Sequence, residues 1–371
     1  MPPSTVLVTG AAGFLGWHIQ IRLRALTDHV VRTVDQHNWH ELPQLVADAD
    51  AVIHLAGINR ASDDELRDGN RRLAERLVQA AEQANATPRP IYANSIQAGN
   101  ETPYGDGKAA AAHVLHEAAT RWGTPFVDVM LPNLFGEHGR PGYNSFVATF
   151  VERAITGDHP DIQDRDIKLL HAQRAAQCFM DALEGPTRIE RPEGTPTSVS
   201  AVWQRLLAFR EIYEHGRIPP LPTDFDVELF NTYRAALFPA RYPLQLTLNS
   251  DPRGWLVETT RWSGGEGQTF VSSTHPGITR GEHFHLRKIE RFVVVGGQGR
   301  IRLRKAATDQ TVQFDVDGAN PVAIDMPIGW IHNITNTGDS EMVTQFWVNE
   351  LFDPADPDTF WEPVDPQEAA Q

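Results

Sequence analysis

The chain has almost no cysteine and no excess of positive charge, and both absences exclude classes of protein. Cys178 is the single cysteine among 371 residues, so no intrachain disulfide can form. Lys and Arg total 33 against 48 Asp and Glu, which gives a formal net charge of −15. Because such a chain lacks the basic surface that binds nucleic acid or an anionic membrane, we expect neither partner.

Long apolar runs are also missing. The sequence contains no apolar stretch of about 18 residues and no secretory leader, and a strand-like segment, TVLVTG, already begins at residue 5. These features indicate a cytoplasmic protein. A length of 371 residues suffices for two domains of roughly 100–200 residues each.

The first half of the chain alternates short β-branched runs with helical stretches. The runs are TVLVTG, AVIHLAG, RPIYANS and PFVDVMLPN, and helical patterns such as DDELRDGNRRLAERLVQAAEQ separate them. Such alternation is typical of βαβ units around a parallel sheet. It predicts an α/β domain of the Rossmann type with a doubly wound parallel sheet.

After residue 245 the pattern changes to short strands broken by Gly, Pro and Asn, with no long helical pattern. This rhythm predicts an all-β barrel. Residues 216–247 are rich in proline, so we expect them to end the first domain and form a stiff linker. The predicted domains are therefore 1–245 and 246–371, with a frayed tail after Glu362.

A glycine-rich turn, TGAAGFLG at residues 9–16, follows the first strand and opens a helix. Gly10 permits the tight turn, Gly13 lets the backbone approach a pyrophosphate, and Gly16 allows close helix–strand packing. The phosphates would lie on the helix N-terminus. The segment predicts a dinucleotide site that includes Thr9, Gly10, Gly13, Phe14, Leu15 and Gly16.

The identity of the dinucleotide depends on Asp35, which ends the second strand nineteen residues after Gly16. A carboxylate there accepts hydrogen bonds from the adenosine ribose and repels a 2′-phosphate, which favours NADH. Arg32 or Arg60 would instead permit NADPH. An ordinary aspartate at a strand end is the alternative.

Three polar residues in the first half have the spacing of a proton-transfer site. Tyr104 and Lys108 lie four residues apart on one predicted helical face, so the ammonium can lower the phenol pKa and hold the nicotinamide ribose. Ser95 ends a strand and would hydrogen-bond the same substrate oxygen. The alternative is a surface tyrosine and a turn serine.

The second half contains histidines with the spacing of metal ligands. In GITRGEHFHLRKIERFVVVGGQG, His283 and His285 alternate on one strand and therefore face the same way, and Glu290 follows on the next strand. The later segment PIGWIHNITN supplies His332. Three imidazoles and a carboxylate suit Zn, with Fe, Mn and Ni as other choices, whereas the alternative is that all four are ordinary barrel residues.

These motifs carry two family resemblances. TGAAGFLG, HLAG (with Leu55, Ala56 and Gly57), Ser95, YGDGK and PNLFG resemble the extended short-chain dehydrogenase/reductases, and the histidine segments resemble the cupins, whose fold is a jelly-roll barrel. Longer stretches such as HLAGINR, PNLFGEHGRPGYNSFVATF and WVNELFDPADPDTF are similar to the bifunctional capsular-polysaccharide enzymes of the UDP-N-acetyl-L-fucosamine pathway. The similarity covers nearly the whole chain in the same domain order.

The resemblance implies two steps on a UDP-linked 4-keto-6-deoxy sugar. The cupin domain would invert C3, and the N-terminal domain would then reduce the C4 ketone. It also implies NADPH, substrate contacts at Arg60 and Asn133, and, by analogy with paired cupin barrels, a homodimer.

The barrel segment also resembles the metal-free dTDP-sugar 3,5-epimerases through Asp251, Arg253, Gly254, Glu258 and His283. In those enzymes the histidine is the general base, so His283 is a metal ligand by one resemblance and a base by the other. Arg253 would bind the diphosphate, since its planar fork contacts two oxygens, with Glu258 beside it. If His283 is a ligand, Lys288 becomes a candidate base, with a solvated surface lysine as the alternative.

Three hypotheses about function follow from the sequence. The chain is a bifunctional reductase and epimerase, or it has one activity while the other domain is structural, or it binds a sugar nucleotide without turnover. The complete set of proton-transfer and ligand residues favours the first hypothesis.

Overall fold

The computed structural model describes residues 4–252, 254–262, 264 and 266–367. Internal contacts divide the chain into two compact units. Unit 1 runs up to Phe135 and adds Gly142–Ser145 and Asp166–Ser198. Unit 2 contains Gly136–Pro141, Phe146–Arg165 and the chain from Val199 onward.

Helices occur in both units. In chain order the α-helices of the described residues are α1 (Phe14–Leu26), α2 (Leu42–Val46), α3 (Asp63–Gln83), α4 (Pro103–Trp122), α5 (Phe146–Thr156), α6 (Ala172–Asp181), α7 (Val199–Tyr213) and α8 (Asp224–Leu237), with a 3-10 helix at Trp39–Glu41. No helix of this part of the chain is both long and apolar enough to cross a membrane.

Strands make up the rest of the regular structure. In chain order they are β1 (Thr5–Thr9), β2 (Val30–Val34), β3 (Ala51–His54), β4 (Arg89–Ser95), β5 (Val127–Leu131), β6 (Asn133–Phe135), β7 (Asp166–His171), β8 (Arg188–Glu190), β9 (Thr195–Ser198), β10 (Arg217–Ile218), β11 (Leu244–Gln245), β12 (Leu248–Asp251), β13 (Gly254–Val257), β14 (Arg261–Trp262), β15 (Gln268–Thr274), β16 (Thr279–Phe284), β17 (Glu290–Gly296), β18 (Gln298–Lys305), β19 (Thr311–Asp317), β20 (Val322–Met326), β21 (Trp330–Asn336), β22 (Met342–Val348) and β23 (Phe360–Trp361).

Unit 1 is built on a parallel six-stranded sheet in the order β2-β1-β3-β4-β5-β8, which confirms the predicted Rossmann-type sheet. Strands β6, β7 and β9 form a separate small sheet. From β1 the chain passes to β2 on one side, and it then crosses to β3 on the other side of β1. The carboxyl ends of β1 and β3 therefore flank a topological switch point. Ligands of open α/β sheets bind at such a point.

Two helices of unit 1 show why the local sequence begins and ends where it does. Ser62 caps α3 by accepting the backbone N–H of Glu65, and Thr102 caps α4 by accepting that of Gly105. Helix α4 ends at Gly123, whose φ of +70° is the left-handed conformation that glycine adopts readily. The cap at Thr102 places the start of α4 just before Tyr104.

Unit 2 combines helices α5, α7 and α8 with an antiparallel all-β region. The larger sheets have the orders β11-β20-β17-β22-β15 and β19-β18-β21-β16-β23. Their antiparallel pairing confirms an all-β region after residue 245. Closure of these strands into a cupin barrel stays a prediction.

The predicted linker is wrong, because residues 216–247 contain helix α8. The prolines lie outside the helix, on both sides of it, and Thr223 caps its first turn. Asn231 of α8 donates a hydrogen bond to the carbonyl of Arg287, and Arg234 donates to that of Met326. In this structure α7 and α8 group with the later strands, whereas a folding boundary at residue 245 stays a prediction.

Candidate active sites

The glycine turn of unit 1 leaves no room for side chains at two positions. Gly10 has a φ of +70°, and a Cβ on it would lie 2.8 Å from the backbone nitrogen of Ala56. A Cβ on Gly16 would lie 2.5 Å from the carbonyl oxygen of Gly10. Glycine is therefore required for the turn to pack against the HLAG segment and for α1 to begin directly beneath it.

The start of α1 is shaped for an anion. Its N-cap is Gly13, with no side chain to accept the first N–H groups of the helix, and Phe14 and Leu15 form the first turn. Such free N–H groups, together with the helix dipole, favour a phosphate. The turn and the helix N-terminus fit the pyrophosphate of a dinucleotide.

The end of β3 closes the other side of the switch point. Thr9 Oγ1 is hydrogen-bonded to His54 Nδ1 at 2.8 Å and accepts the backbone N–H of Ala56 at 3.3 Å. His54 is fully buried, and desolvation, with a smaller contribution from Lys108, lowers its pKa to about 3. It is therefore neutral near pH 7 and braces the segment Leu55, Ala56 and Gly57.

Ser95 and Tyr104 are brought together at the carboxyl end of β4. The Ser95 side chain lies near the phenol of Tyr104 and acts to lower its pKa. Burial nevertheless raises the pKa of the phenol, because the effect of Ser95 offsets it only in part. Burial dominates in this arrangement, and a lowering of this pKa by Lys108 stays a prediction.

Lys108 lies deep in the same site. Its Nζ donates to the carbonyl of Ala93 at 2.6 Å and lies 4.6 Å from the centre of the Tyr92 ring. Burial lowers the pKa of the ammonium to about 8, against the opposing effect of Asp128. A Cβ on Gly57 would lie 3.7 Å from Nζ, so the ammonium is next to the HLAG segment.

A second polar layer supports these residues. Asn94 Nδ2 donates to the buried Asp128 carboxylate at 3.0 Å, and Asn94 Oδ1 accepts the backbone N–H of Ser95 at 2.8 Å. Asn70 of α3 both donates to and accepts from the backbone of Ile58, at 3.0 Å each. No motif pointed to Asp128, Asn94 or Asn70, because their roles depend on contacts between separate elements.

Three histidines of unit 2, His283, His285 and His332, converge with Glu290, and one ligand atom from each of the four residues lies within 4.8 Å of the others. Oε2 of Glu290 lies 3.0 Å from Nε2 of His285, 3.3 Å from Nε2 of His332 and 3.9 Å from Nε2 of His283. Strand pairing produces this cluster, because His283 of β16 lies opposite His332 of β21.

The two most buried imidazoles are held through their other nitrogen. Nδ1 of His285 contacts the carbonyl of Asp358 at 2.5 Å, and Nδ1 of His332 contacts that of Trp330 at 3.0 Å. A proton on each Nδ1 leaves Nε2 as the free lone pair, the arrangement that metal-ligating histidines use. Nε2 of His332 is buried without a hydrogen bond, so the cluster fits a metal ion.

The pKa shifts within the cluster follow from burial and from Glu290. Burial lowers the pKa of His332 to about 4. Burial also opposes charge on His285, but Glu290 outweighs it and raises the pKa of that imidazole. Burial opposes charge on Glu290 as well, yet its contacts with the three histidines hold its pKa well below the usual range. The carboxylate is therefore anionic, as a ligand must be.

Comparison with known proteins connects both sites to one family. Residues 6–185 match the NAD dependent epimerase/dehydratase family, and residues 249–360 match the polysaccharide biosynthesis C-terminal domain. Over 363 residues the chain is 31% identical to the UDP-2-acetamido-2,6-beta-L-arabino-hexul-4-ose reductase of Pseudomonas aeruginosa, with 96% of this chain and 97% of that protein covered. The chain belongs to this family of sugar-nucleotide reductases.

Solved structures agree with this assignment. Capsular polysaccharide assembling protein CapF from Staphylococcus aureus is 32% identical, with a TM-score of 0.61, over 97% of this chain and all of that one. CapF with the inhibitor 3-isopropenyl-tropolone is 28% identical, with a TM-score of 0.57 and the same coverage. The chain is thus a member of a family of sugar-nucleotide enzymes of the reductase and epimerase type, which use an NAD(P) cofactor.

In this member of the reductase family, Asp35 and Arg32, which were predicted to select the cofactor, contact different partners. Asp35 follows β2 and is half-buried, and its carboxylate accepts the backbone N–H of His37 at 2.7 Å. Arg32 donates to the carbonyl of Leu45 and pairs with Asp48. Asp35 therefore lies where the sequence placed it, while Arg32 has other partners.

The predicted substrate-binding residues lie on the surface. Arg60 donates to the carbonyl of Gly142 at 2.9 Å and stacks over the Tyr143 ring. Asn133 is exposed at the start of β6, and Glu258 is exposed 3.7 Å from Arg261. Arg253 lies outside the described residues.

Lys288 is buried, which contradicts the alternative of a solvated surface lysine. Its Nζ donates to the carbonyl of Pro357 at 2.5 Å and lies 3.8 Å from Glu350. The ammonium would have to leave these partners before it could take a proton from a substrate. Its contacts fit a supporting role better than that of a free base.

Proposed function

We propose that this enzyme performs two successive reactions on a UDP-linked 4-keto-6-deoxy-HexNAc. Its C-terminal unit epimerises C3 and its N-terminal unit reduces the C4 ketone, in the supply of a UDP-L-FucNAc type precursor. The observation that carries the proposal is the buried cluster of His283, His285, Glu290 and His332, since ketone reduction alone does not need it. The name of the Pseudomonas relative, a 4-ulose reductase, supports the second step.

The reduction follows from the site in unit 1. A bound nicotinamide would supply the hydride to C4, and the phenol of Tyr104 would donate the proton to the C4 oxygen. Ser95, whose side chain lies near that phenol, donates to the same oxygen. Lys108 places a positive charge next to the site. It either returns a proton to Tyr104 after the transfer or orients the nicotinamide ribose.

The epimerisation requires that a base remove the C3 proton and that a proton return on the opposite face. The neighbouring C4 ketone makes this proton acidic, because the electrons move onto the ketone oxygen. We propose that the four clustered residues hold a divalent metal, with zinc as the first choice, because Nε2 of His332 is buried without a hydrogen bond and the neighbouring Glu290 is anionic. A bound divalent ion supplies Lewis-acid stabilisation of that oxygen.

His283 supports an alternative role. With a side-chain exposure of 20% it is the most accessible of the four, so it can act as the base if no metal is present. Elemental analysis of protein purified without chelator separates the two roles. A metal-free, fully active enzyme would make His283 the base, and a stoichiometric metal would leave Lys288 as a candidate base.

Further parts of the proposal concern binding. Arg60 and Asn133 contact the sugar nucleotide in unit 1, and Arg253 and Glu258 contact it in unit 2. Asp35 favours NADH, while Arg32 and Arg60 are the residues that would permit NADPH. We also propose a cytoplasmic homodimer with no nucleic-acid or membrane partner.

Incubation with the UDP-4-keto sugar in D2O, with and without reduced cofactor, tests the proposal. We expect deuterium at C3 without cofactor and oxidation of the cofactor when it is added. An enzyme with one activity would show only one of these signals. Neither signal would appear for a protein that binds without turnover.

A further inference from the structure

Residues 358–364, here called the clamp, contact His285 and the part of β16 that carries His283. Asp358 is 2% exposed and has a φ of +41°, a conformation that is uncommon outside glycine, asparagine and aspartate. Such strain persists only where the surroundings hold it. In the sequence, Asp358 lies 70 or more residues after the segment that it contacts, which runs from His285 to Lys288.

The side chain of Asp358 organises the turn between His285 and Glu290. Oδ1 accepts the backbone N–H of Leu286 at 3.0 Å, and Oδ2 accepts those of Arg287 at 3.0 Å and Lys288 at 2.9 Å. One carboxylate therefore satisfies three successive N–H groups of this turn. These N–H groups would otherwise lose partners in a buried place, which is costly.

The backbone of Asp358 acts on His285 directly. Its carbonyl oxygen lies 2.5 Å from Nδ1 of the imidazole, which places the proton on Nδ1 and directs Nε2 at Glu290. Since the carboxylate anchors the residue and the carbonyl contacts the imidazole, the two interactions depend on each other.

The rest of the clamp contacts β16 at and next to His283. Trp361 pairs with His283 in the strand ladder, and the backbone N–H of Glu362 donates to the carbonyl of Glu282. The carboxylate of Glu282 in turn accepts the N–H of Val364 at 2.6 Å. Glu282 has a φ of +61° at an irregularity of β16, immediately before His283. The clamp therefore supports the backbone that directs His283.

We infer that Asp358 is a positioning residue of the His/Glu cluster, which fixes the tautomer and direction of His285 and the turn that leads to Glu290. The inference rests on the proposed metal-dependent epimerase function. It adds that the affinity of the cluster for a divalent ion depends on a carboxylate that is not itself a ligand.

Titration of the metal-free full-length protein with Co²⁺ tests this, with the visible absorption of the bound ion as the readout. Asp358→Gly keeps the positive φ and the carbonyl but removes the carboxylate, and Asp358→Asn keeps the shape with weaker acceptors. The matched control is Asp356→Asn, which removes an exposed carboxylate that pairs with Arg287 at 3.0 Å two residues away.

We expect Asp358→Gly to bind Co²⁺ roughly 10–100-fold more weakly, with a changed spectrum, and Asp358→Asn to lie between it and the wild type. The control should bind within about twofold of the wild type, because exposed ion pairs contribute little. Folded Asp358 variants with the affinity and spectrum of the wild type would overturn the inference. A wild type that binds no Co²⁺ would instead overturn the metal assignment itself.

A measurement on the wild type covers the case in which both variants fail to fold. Nitrogen-15 NMR of the Zn²⁺-loaded protein should show His285 protonated at Nδ1 and bound to the ion through Nε2. Binding through Nδ1 would mean that the Asp358 carbonyl does not set the tautomer, and would overturn the inference without any substitution.

Discussion

The burial of Lys108 places its ammonium in the proposed reductase site but lowers the free energy of unfolding. Its folded pKa of about 8 lies below the unfolded value of 10.5, so below pH 8 the chain carries the full cost of burying an ammonium. As the pH rises from about 8 to 10.5, the unfolded state holds more protons than the folded state, and the free energy of unfolding rises.

Lys108→Met should therefore stabilise the protein near pH 7, by at most about 3 kcal/mol, while it abolishes cofactor oxidation. Denaturant unfolding at pH 7 and pH 10.5 provides the check. The advantage of the variant should shrink towards the higher pH. A variant less stable than the wild type at pH 7 would show that the Ala93 and Tyr92 contacts outweigh desolvation.

Asp35 is the residue at which the sequence and the family disagree, since the carboxylate favours NADH and the resemblance implies NADPH. We expect a higher kcat/KM with NADH, and a narrowed or reversed preference in Asp35→Ala, because the repulsion of a 2′-phosphate is removed. Asp48→Ala removes the exposed carboxylate that pairs with Arg32, and it therefore shows separately whether freeing Arg32 admits NADPH. A wild-type kcat/KM at least tenfold higher for NADPH, or about 1.4 kcal/mol, would contradict the assignment.

The positions of Ser95 at a strand end and of Tyr104 and Lys108 on one helix were predictable from sequence, because they are local properties. The supporting residues were not. Asp128 reaches Ser95 through Asn94, and Asp358 reaches His285 across 73 residues of chain. When an aspartate belongs to no motif, the sequence does not predict which distant backbone groups its carboxylate will accept hydrogen bonds from.

At the scale of elements, the glycine turn and helix α1 behave as one rigid unit. The sequence predicted this unit because Gly13 and Gly16 meet atoms only a few residues away, whereas the close approach of Gly10 to Ala56 depends on the fold. Gly16→Ala should shift the turn, since the new Cβ would lie 2.5 Å and 2.7 Å from the carbonyl oxygens of Gly10 and Ala11. We expect a loss of about 1–3 kcal/mol in stability and a weaker cofactor affinity.

Thermal unfolding and titration with reduced cofactor measure both effects. Gly296→Ala is the control, because its Cβ would meet only Val343 at an ordinary 3.6 Å, so stability and cofactor affinity should hardly change. Unaltered cofactor binding in Gly16→Ala would show that the turn does not need the close approach.

Helix α8 shows where element prediction failed. Proline-rich ends suggested a linker, yet a proline outside a helix ends it without preventing it. What stabilises α8 is tertiary: Phe230 and Tyr233 are buried, and Asn231 and Arg234 bond to later parts of unit 2. Contacts of this kind do not appear in a local pattern.

At the scale of the whole molecule, the order of the parallel sheet region and the all-β region was evident from strand rhythm. The grouping of α5, α7 and α8 with the later strands was not, because it depends on buried long-range contacts. Tyr213 of α7, for example, donates to Asp325, which also pairs with Arg291 inside unit 2. Periodicity identifies an element but does not say which partner it will choose.

Separate chemistry in the two units is the central claim, and isotope exchange in two variants tests it most directly. Tyr104→Phe and His285→Ala are each incubated with the UDP-4-keto sugar in D2O, and deuterium at C3 is measured by mass spectrometry alongside cofactor oxidation. We predict that Tyr104→Phe exchanges C3 at the wild-type rate but oxidises no cofactor. His285→Ala should exchange C3 roughly 10–100-fold more slowly, yet still reduce a substrate whose C3 is already inverted. Loss of both activities in either folded variant, or undiminished exchange in His285→Ala, would contradict the claim.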